Sequence, residues 1–185
     1  MTDKPCNVSN RNYLKPFEVN TLILAASNTR HPTRDKLIIY LLYRHGLRVS
    51  ELINLTLHDI DLKSGLIHVN RLKGSKDSIQ PLQAVTIRLL NKYLKERNSD
   101  SNYLLLSNRK QPLHRFTVTK LIMRLSDKAN LPIKATAHTL RHSCGYALIN
   151  KGVPLEVVQD YLGHVKIDNT RIYTKLNSKR FNKLW

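Results

Sequence analysis

The stretch Leu37-Ile38-Ile39-Tyr40-Leu41-Leu42 constrains the fold more than any other part of the chain. Read as a helix it is apolar nearly all round, so neighbouring elements must cover it on most sides. Read as a membrane span, the run ending at Tyr43 is too short, since crossing a bilayer takes about 20 apolar residues. It is therefore expected to be the central helix of a globular body, with Thr33 as N-cap and Gly46 as C-cap.

The flanking segments supply its cover. Pro16 opens a helix, with Glu18 in the acidic first turn and Val19, Leu22, Ile23 and Ala26 on the buried stripe. A short helix holds Glu51, Leu52 and Leu55. Residues 56–82 then change character. Ile60 and Leu62, Leu66 to Val69, and Ile79 to Leu82 lie in short pieces parted by Lys63-Ser64-Gly65 and by Lys73 to Asp77. This predicts a three-stranded antiparallel sheet, with Pro81 confined to an edge. Helices are expected near 84–97, 117–129, 138–151, 154–162 and 169–174, with a short extended piece from Tyr103 to Leu106. The fold class is mainly α with a small three-stranded antiparallel sheet. Residues 1–13 are expected to form a flexible leader and residues 14–185 one domain.

Charge narrows the partners. The chain carries 31 Lys and Arg against 13 Asp and Glu, a net +18 that repels itself and favours a polyanion. Nucleic acid leads, although ribosomal or membrane-surface association would give the same excess. Lys120, Arg124 and Lys128 repeat every four residues on one helix face and are candidates to contact DNA phosphates. Cys6 and Cys144 lie far apart and in no metal-binding spacing, which fits a reducing compartment. The N-terminal stretch lacks a long apolar run behind basic residues, so no signal peptide is expected, and the expected location is the cytoplasm, at the bacterial nucleoid, with no membrane partner.

Chemistry concentrates in four segments. They are Gly46 to Leu52, containing Arg48 and Glu51; Arg71 to Lys76, containing Lys73; His138-Thr139-Leu140-Arg141-His142-Ser143; and Tyr161-Leu162-Gly163-His164, with Tyr173 nine residues beyond His164. Singly, each has an ordinary reading as a surface arginine, a hairpin lysine, a capping histidine or one more tyrosine. His138 and His142, four apart, have the spacing of a zinc helix. However, Thr139 stands where a metalloprotease has glutamate and no third ligand is evident, so no metal is assigned.

In combination and in this order, the segments resemble the tyrosine recombinase (phage integrase) family, from about residue 14 to the end. Leu140 to Tyr146, Gln159 to His164 and the terminal Arg180 to Trp185 are similar to the short recombinases that invert the promoter element of bacterial fimbriae in phase variation. The resemblance implies a catalytic-domain fold without a separate N-terminal DNA-clasping domain, and a site-specific recombinase of duplex DNA. It implies inverted-repeat sites, a homotetramer on paired sites and DNA-bending accessory proteins as partners. After Tyr173 the chain continues through Leu176, Phe181, Leu184 and Trp185. This apolar tail is expected either to pack on its own domain or, as the resemblance favours, to dock onto a neighbouring subunit.

The residue types suit the implied reaction. Arg48 and Arg141 keep their charge and offer forked donors to a phosphate whose oxygens gain charge under attack. His138 and His164 add hydrogen bonds, and His138 is a candidate to take the tyrosine proton. Tyr173, with an ordinary pKa of about 10, needs positive surroundings to act as nucleophile. The resemblance gives protonation of the leaving 5′ oxygen to Lys73, and Glu51 is placed to orient Arg48 or a histidine. One phosphate ester is exchanged for another, so no nucleotide, metal or other cofactor is implied.

Overall fold

A computed structural model of the chain describes residues 11–71 and 75–174. The apolar run lies in α2 (Pro32–Arg44), where Leu37, Ile38, Ile39, Leu41 and Leu42 are all buried. α2 packs against α4 (Ala84–Arg97) and α6 (Ala137–Asn150), with α1 (Pro16–Ala25), α3 (Val49–Asn54) and α5 (Arg115–Lys128) completing the enclosure. α7 (Leu155–Leu162) and α8 (Asp168–Arg171) close one end. The boundary of α2 differs from the sequence reading. Pro32 takes the first helical position and His31 is the N-cap, because proline's fixed φ starts a helix without needing a donor. Thr33 is instead buried inside the first turn, donating from Oγ1 to Glu96 at 3.1 Å. Gly46 lies one residue past the C-cap His45.

The sheet has the order β1 (Ile60–Asp61), β2 (Leu66–Val69), β3 (Ser78–Pro81), antiparallel throughout. Ile60 faces Ile67 and Leu66 faces Pro81. Pro81 sits on an outer strand, where its missing donor leaves no gap in a ladder. Tyr103 to Leu106 contributes isolated bridges to Thr56 and Pro112 rather than a fourth strand.

Most apolar side chains join one core around α2, and a smaller cluster gathers Cys144, Tyr146, Val158, Leu162 and Tyr173. This second cluster fixes the end of α6 against α7 and α8. Tyr13 stacks on Tyr146 at 3.7 Å, and the Leu14 amide donates to Ser143 Oγ at 2.7 Å. Residues 1–10 of the expected leader lie outside the described residues, whereas Arg11 pairs with Glu18 of α1. No helix among the described residues is long and apolar enough to cross a membrane.

Candidate active site

Arg48 is the N-cap of α3, and Glu51, at the third helical position, accepts from the Arg48 amide at 2.7 Å. The same carboxylate accepts from the Arg48 guanidinium at 2.6 Å. Helix capping therefore also aims the arginine, because one short acidic side chain satisfies both groups. The Arg48 side chain keeps 37% of its surface exposed and can reach an incoming ligand.

Arg141 projects from α6 and is buried. Its guanidinium donates to the carbonyl of Gly46 and, at 2.6 Å, to that of Leu162. Arg141 thereby ties the start of the Arg48 segment to the end of α7. A third arginine, Arg71, enters the same space and donates to Glu51 Oε2 at 2.7 Å. One carboxylate thus faces three guanidiniums, since Arg141 also approaches Glu51 to 3.9 Å. Burial raises the Glu51 pKa, but Arg71 and the Arg48 donors outweigh it and hold the group below the usual carboxylate range. Burial, with Arg48 and Arg71 nearby, lowers Arg141 to about 10, still protonated at neutral pH. Such a pocket is short of negative charge and can accept a phosphate-type anion.

Tyr173 closes the cluster and is only 1% exposed. Its ring lies 6.3 Å from that of His164 at a shallow angle and packs edge-on against His142 and Tyr146. Gly145 makes room for it: a Cβ there would stand 2.5 Å from the ring. Burial pushes the Tyr173 hydroxyl up to about 12, with Arg141 opposing. The hydroxyl lies 3.1 Å from Nδ1 of His142. Burial, then His138 and Arg141, lower His142 to about 4, so it is neutral and can accept this hydrogen bond.

The sequence-predicted residues therefore have distinct fates. Arg48, Glu51, Arg141, His164 and Tyr173 come together. His164 is held through Nδ1 by Thr170 Oγ1 at 2.9 Å, and burial followed by the arginines lowers it to about 4. His138 is exposed, with its ring edge-on to His142 at 4.2 Å, and the neighbour of the Tyr173 hydroxyl is His142. Lys73 and the segment after Asn177 lie outside the described residues. Lys120, Arg124 and Lys128 are all exposed on α5. Arg124 and Lys128 line a groove of about 550 Å³ with Arg30, Arg34 and Arg109, while Lys120 lies over the Phe116 ring. Two residues of the cluster are not evident from the sequence: Arg71, and His142, whose spacing from His138 offers it only as a metal ligand. The available signal was an arginine ending an apolar strand, which a hairpin reading treats as solvated.

The fold is that of a tyrosine recombinase catalytic domain. The chain belongs to the phage integrase family, whose model matches residues 12–180. It is 36% identical over 179 residues to the type 1 fimbriae regulatory protein FimB of Escherichia coli (strain K12), covering 95% of this chain and 90% of FimB. The crystal structure of XerA recombinase matches with a TM-score of 0.81 at 35% identity, over 93% of this chain and 63% of that one. XerH site-specific recombinase, in a post-cleavage complex with a palindromic difH substrate, matches with a TM-score of 0.80 at 27% identity, over 93% of this chain and 52% of that one.

Proposed function

We propose that this enzyme breaks and rejoins duplex DNA at specific inverted-repeat sites, and that its task is to invert a promoter element controlling fimbrial genes. The observation that carries the chemical reading is the cluster of Arg48, Arg141, His164 and Tyr173 around a surplus of positive charge. The biological reading rests on similarity to a protein named as a type 1 fimbriae regulator. In this reading a scissile phosphate enters between Arg48 and Arg141, and His164 adds a hydrogen bond. The Tyr173 oxygen attacks phosphorus, the bond to the 5′ oxygen breaks, and a 3′-phosphotyrosyl link forms. His138 takes the phenolic proton once the hydroxyl leaves His142, and Lys73 protonates the departing oxygen. Attack by that 5′ hydroxyl, or by one from a partner strand, reverses the step without external energy.

The arginines supply the charge that a metal supplies elsewhere. The working assembly is a homotetramer on two paired sites, aided by DNA-bending proteins, in the bacterial cytoplasm. Lys120, Arg124 and Lys128 follow the phosphate backbone.

A nicked suicide substrate tests the chemistry. The wild-type chain is expected to form a covalent adduct mapping to Tyr173, equally well in EDTA, whereas Tyr173→Phe binds the DNA and forms none. A full adduct yield from the Phe variant, or loss in EDTA restored by Mg²⁺, would refute the mechanism. A catalytically dead DNA-binding regulator would give no adduct from either chain. A type IB topoisomerase would relax plasmids but exchange no strands in a two-site recombination assay.

A further inference from the structure

Arg71 does more than fill space beside Glu51. Its side chain is fully buried, as is that of Glu51. From one guanidinium it reaches Glu51 Oε2 at 2.7 Å and the Tyr161 carbonyl at 2.6 Å, with longer contacts to the carbonyls of Gly46 and His45 at 3.4 and 3.5 Å. Those partners belong to three separate segments: the entry to Arg48, the helix that begins at Arg48, and the end of α7 just before His164. The Tyr161 carbonyl also accepts from Gln80 Nε2 at 2.9 Å, and Gln80 Oε1 lies 3.0 Å from Nδ1 of the buried His45. The stem of Arg71 lies over Gly163, where a Cβ would come within 3.0 Å of it. Gly163 itself has φ +64°, which a side chain rarely adopts, so the turn into His164 is shaped for this arginine.

A buried ion pair adds little net stability over an apolar filling of the same volume. A bidentate guanidinium does fix geometry, because its two ends are rigidly spaced and directional. We infer that Arg71 is a positioning residue of the proposed cleavage reaction: its fork locks Glu51, and through it the Arg48 guanidinium, to the turn that carries His164. Among the described residues, the charged groups facing Glu51 are Arg48 at the N-cap of its own helix, Arg71 from beyond β2 and Arg141 from α6. With Arg71 removed, burial regains its hold on Glu51, which then takes up a proton at higher pH than in the wild type. A protonated Glu51 no longer holds Arg48 by charge.

The inference rests on the proposed recombinase chemistry, and the experiment separates the two. Single-turnover adduct formation on the suicide substrate is followed between about pH 8 and about pH 6 for the wild type, Arg71→Met and Arg71→Lys. Half-site gel shifts and circular dichroism serve as binding and folding controls. The Met variant is expected to be at least about tenfold slower with half-site binding retained, and its deficit to widen as pH falls. Lysine restores a charge beside Glu51 but cannot span both partners. Its deficit should persist and lose its pH dependence. A folded Met variant with wild-type rates, or with a deficit constant across pH, overturns the inference. If the Met variant does not fold, Arg71→Lys decides: wild-type rates in that chain overturn it, and slow cleavage with normal binding upholds it. No adduct from the wild type would instead overturn the recombinase reading.

Discussion

Arg48 and Arg141 occupy unlike environments, and their loss should be felt differently. Arg48 is partly exposed and held by its own helix, so Arg48→Ala should reduce adduct formation by about 10²–10³ while changing stability little. Arg141 spans the Gly46 and Leu162 carbonyls inside the protein. Its alanine variant should lose cleavage to a similar degree and also destabilise the fold by about 1–3 kcal/mol, because buried acceptors lose their donor. Suicide-substrate trapping beside urea melts measures both, and equal melts for the two variants would contradict the burial argument. Gly145 offers a second test. A methyl there meets the Tyr173 ring. Gly145→Ala should cost about 1–3 kcal/mol by overpacking and lower the adduct yield by displacing Tyr173, with DNA binding retained. Full activity would mean that the ring's position is not what sets the tyrosine's reach.

At the scale of elements, α6 gathers His138, Arg141 and His142, because residues three and four apart share a helix face. Its N-cap Thr136 accepts from the Thr139 amide at 3.0 Å, and Ser143 joins it to Leu14. The helix is thereby anchored at its start and beside its reactive turn. α5 divides its faces between two tasks. Val118, Leu121, Ile122 and Leu125 are buried, and Lys120, Arg124 and Lys128 remain in solvent. If that row follows DNA phosphates, replacing all three with alanine should weaken binding of every sequence alike. For every phosphate that is no longer neutralised, the slope of log K against log salt should become shallower by roughly 0.9. Filter binding over a salt series measures this slope. An unchanged slope would leave the row as a solvated face.

Across the whole molecule, the unusual feature is how many histidines are held neutral. Burial lowers His45, His142 and His164 from 6.5 to about 4. Between those values the unfolded chain binds more protons than the native one, so stability rises with pH through this window and is lost as pH falls from 6.5 towards 4. Glu18 and Glu51, both held below the usual carboxylate value of 4.5, add losses of the same sign at lower pH. Urea melts at about pH 7 and about pH 5 should show clear acid destabilisation, reduced in His45→Gln, which removes a fully buried titrating ring. Equal stability at both pH values would contradict the neutral histidines.

Much of this organisation is legible from residue order alone. Leu37 to Leu42 dictates a central helix because nothing but enclosure can satisfy an all-round apolar surface. Alternating apolar pieces and Pro81 define the small sheet and its outer strand. The segments holding Arg48, His138, Arg141, His164 and Tyr173 each read as ordinary when taken singly, and it is their joint resemblance to tyrosine recombinases that points to phosphate chemistry. What residue order could not supply is who meets whom. Glu51 and Arg71 are 20 residues apart, and Arg71 and the Tyr161 carbonyl 90 apart. His142 and the Tyr173 hydroxyl are 31 apart. Helix and strand periodicity follows from local backbone geometry, so sequence carries it. Burial of a charged fork, choice of a proton partner and the space above Gly145 that Tyr173 fills depend on how distant elements pack, and only the folded chain decides them.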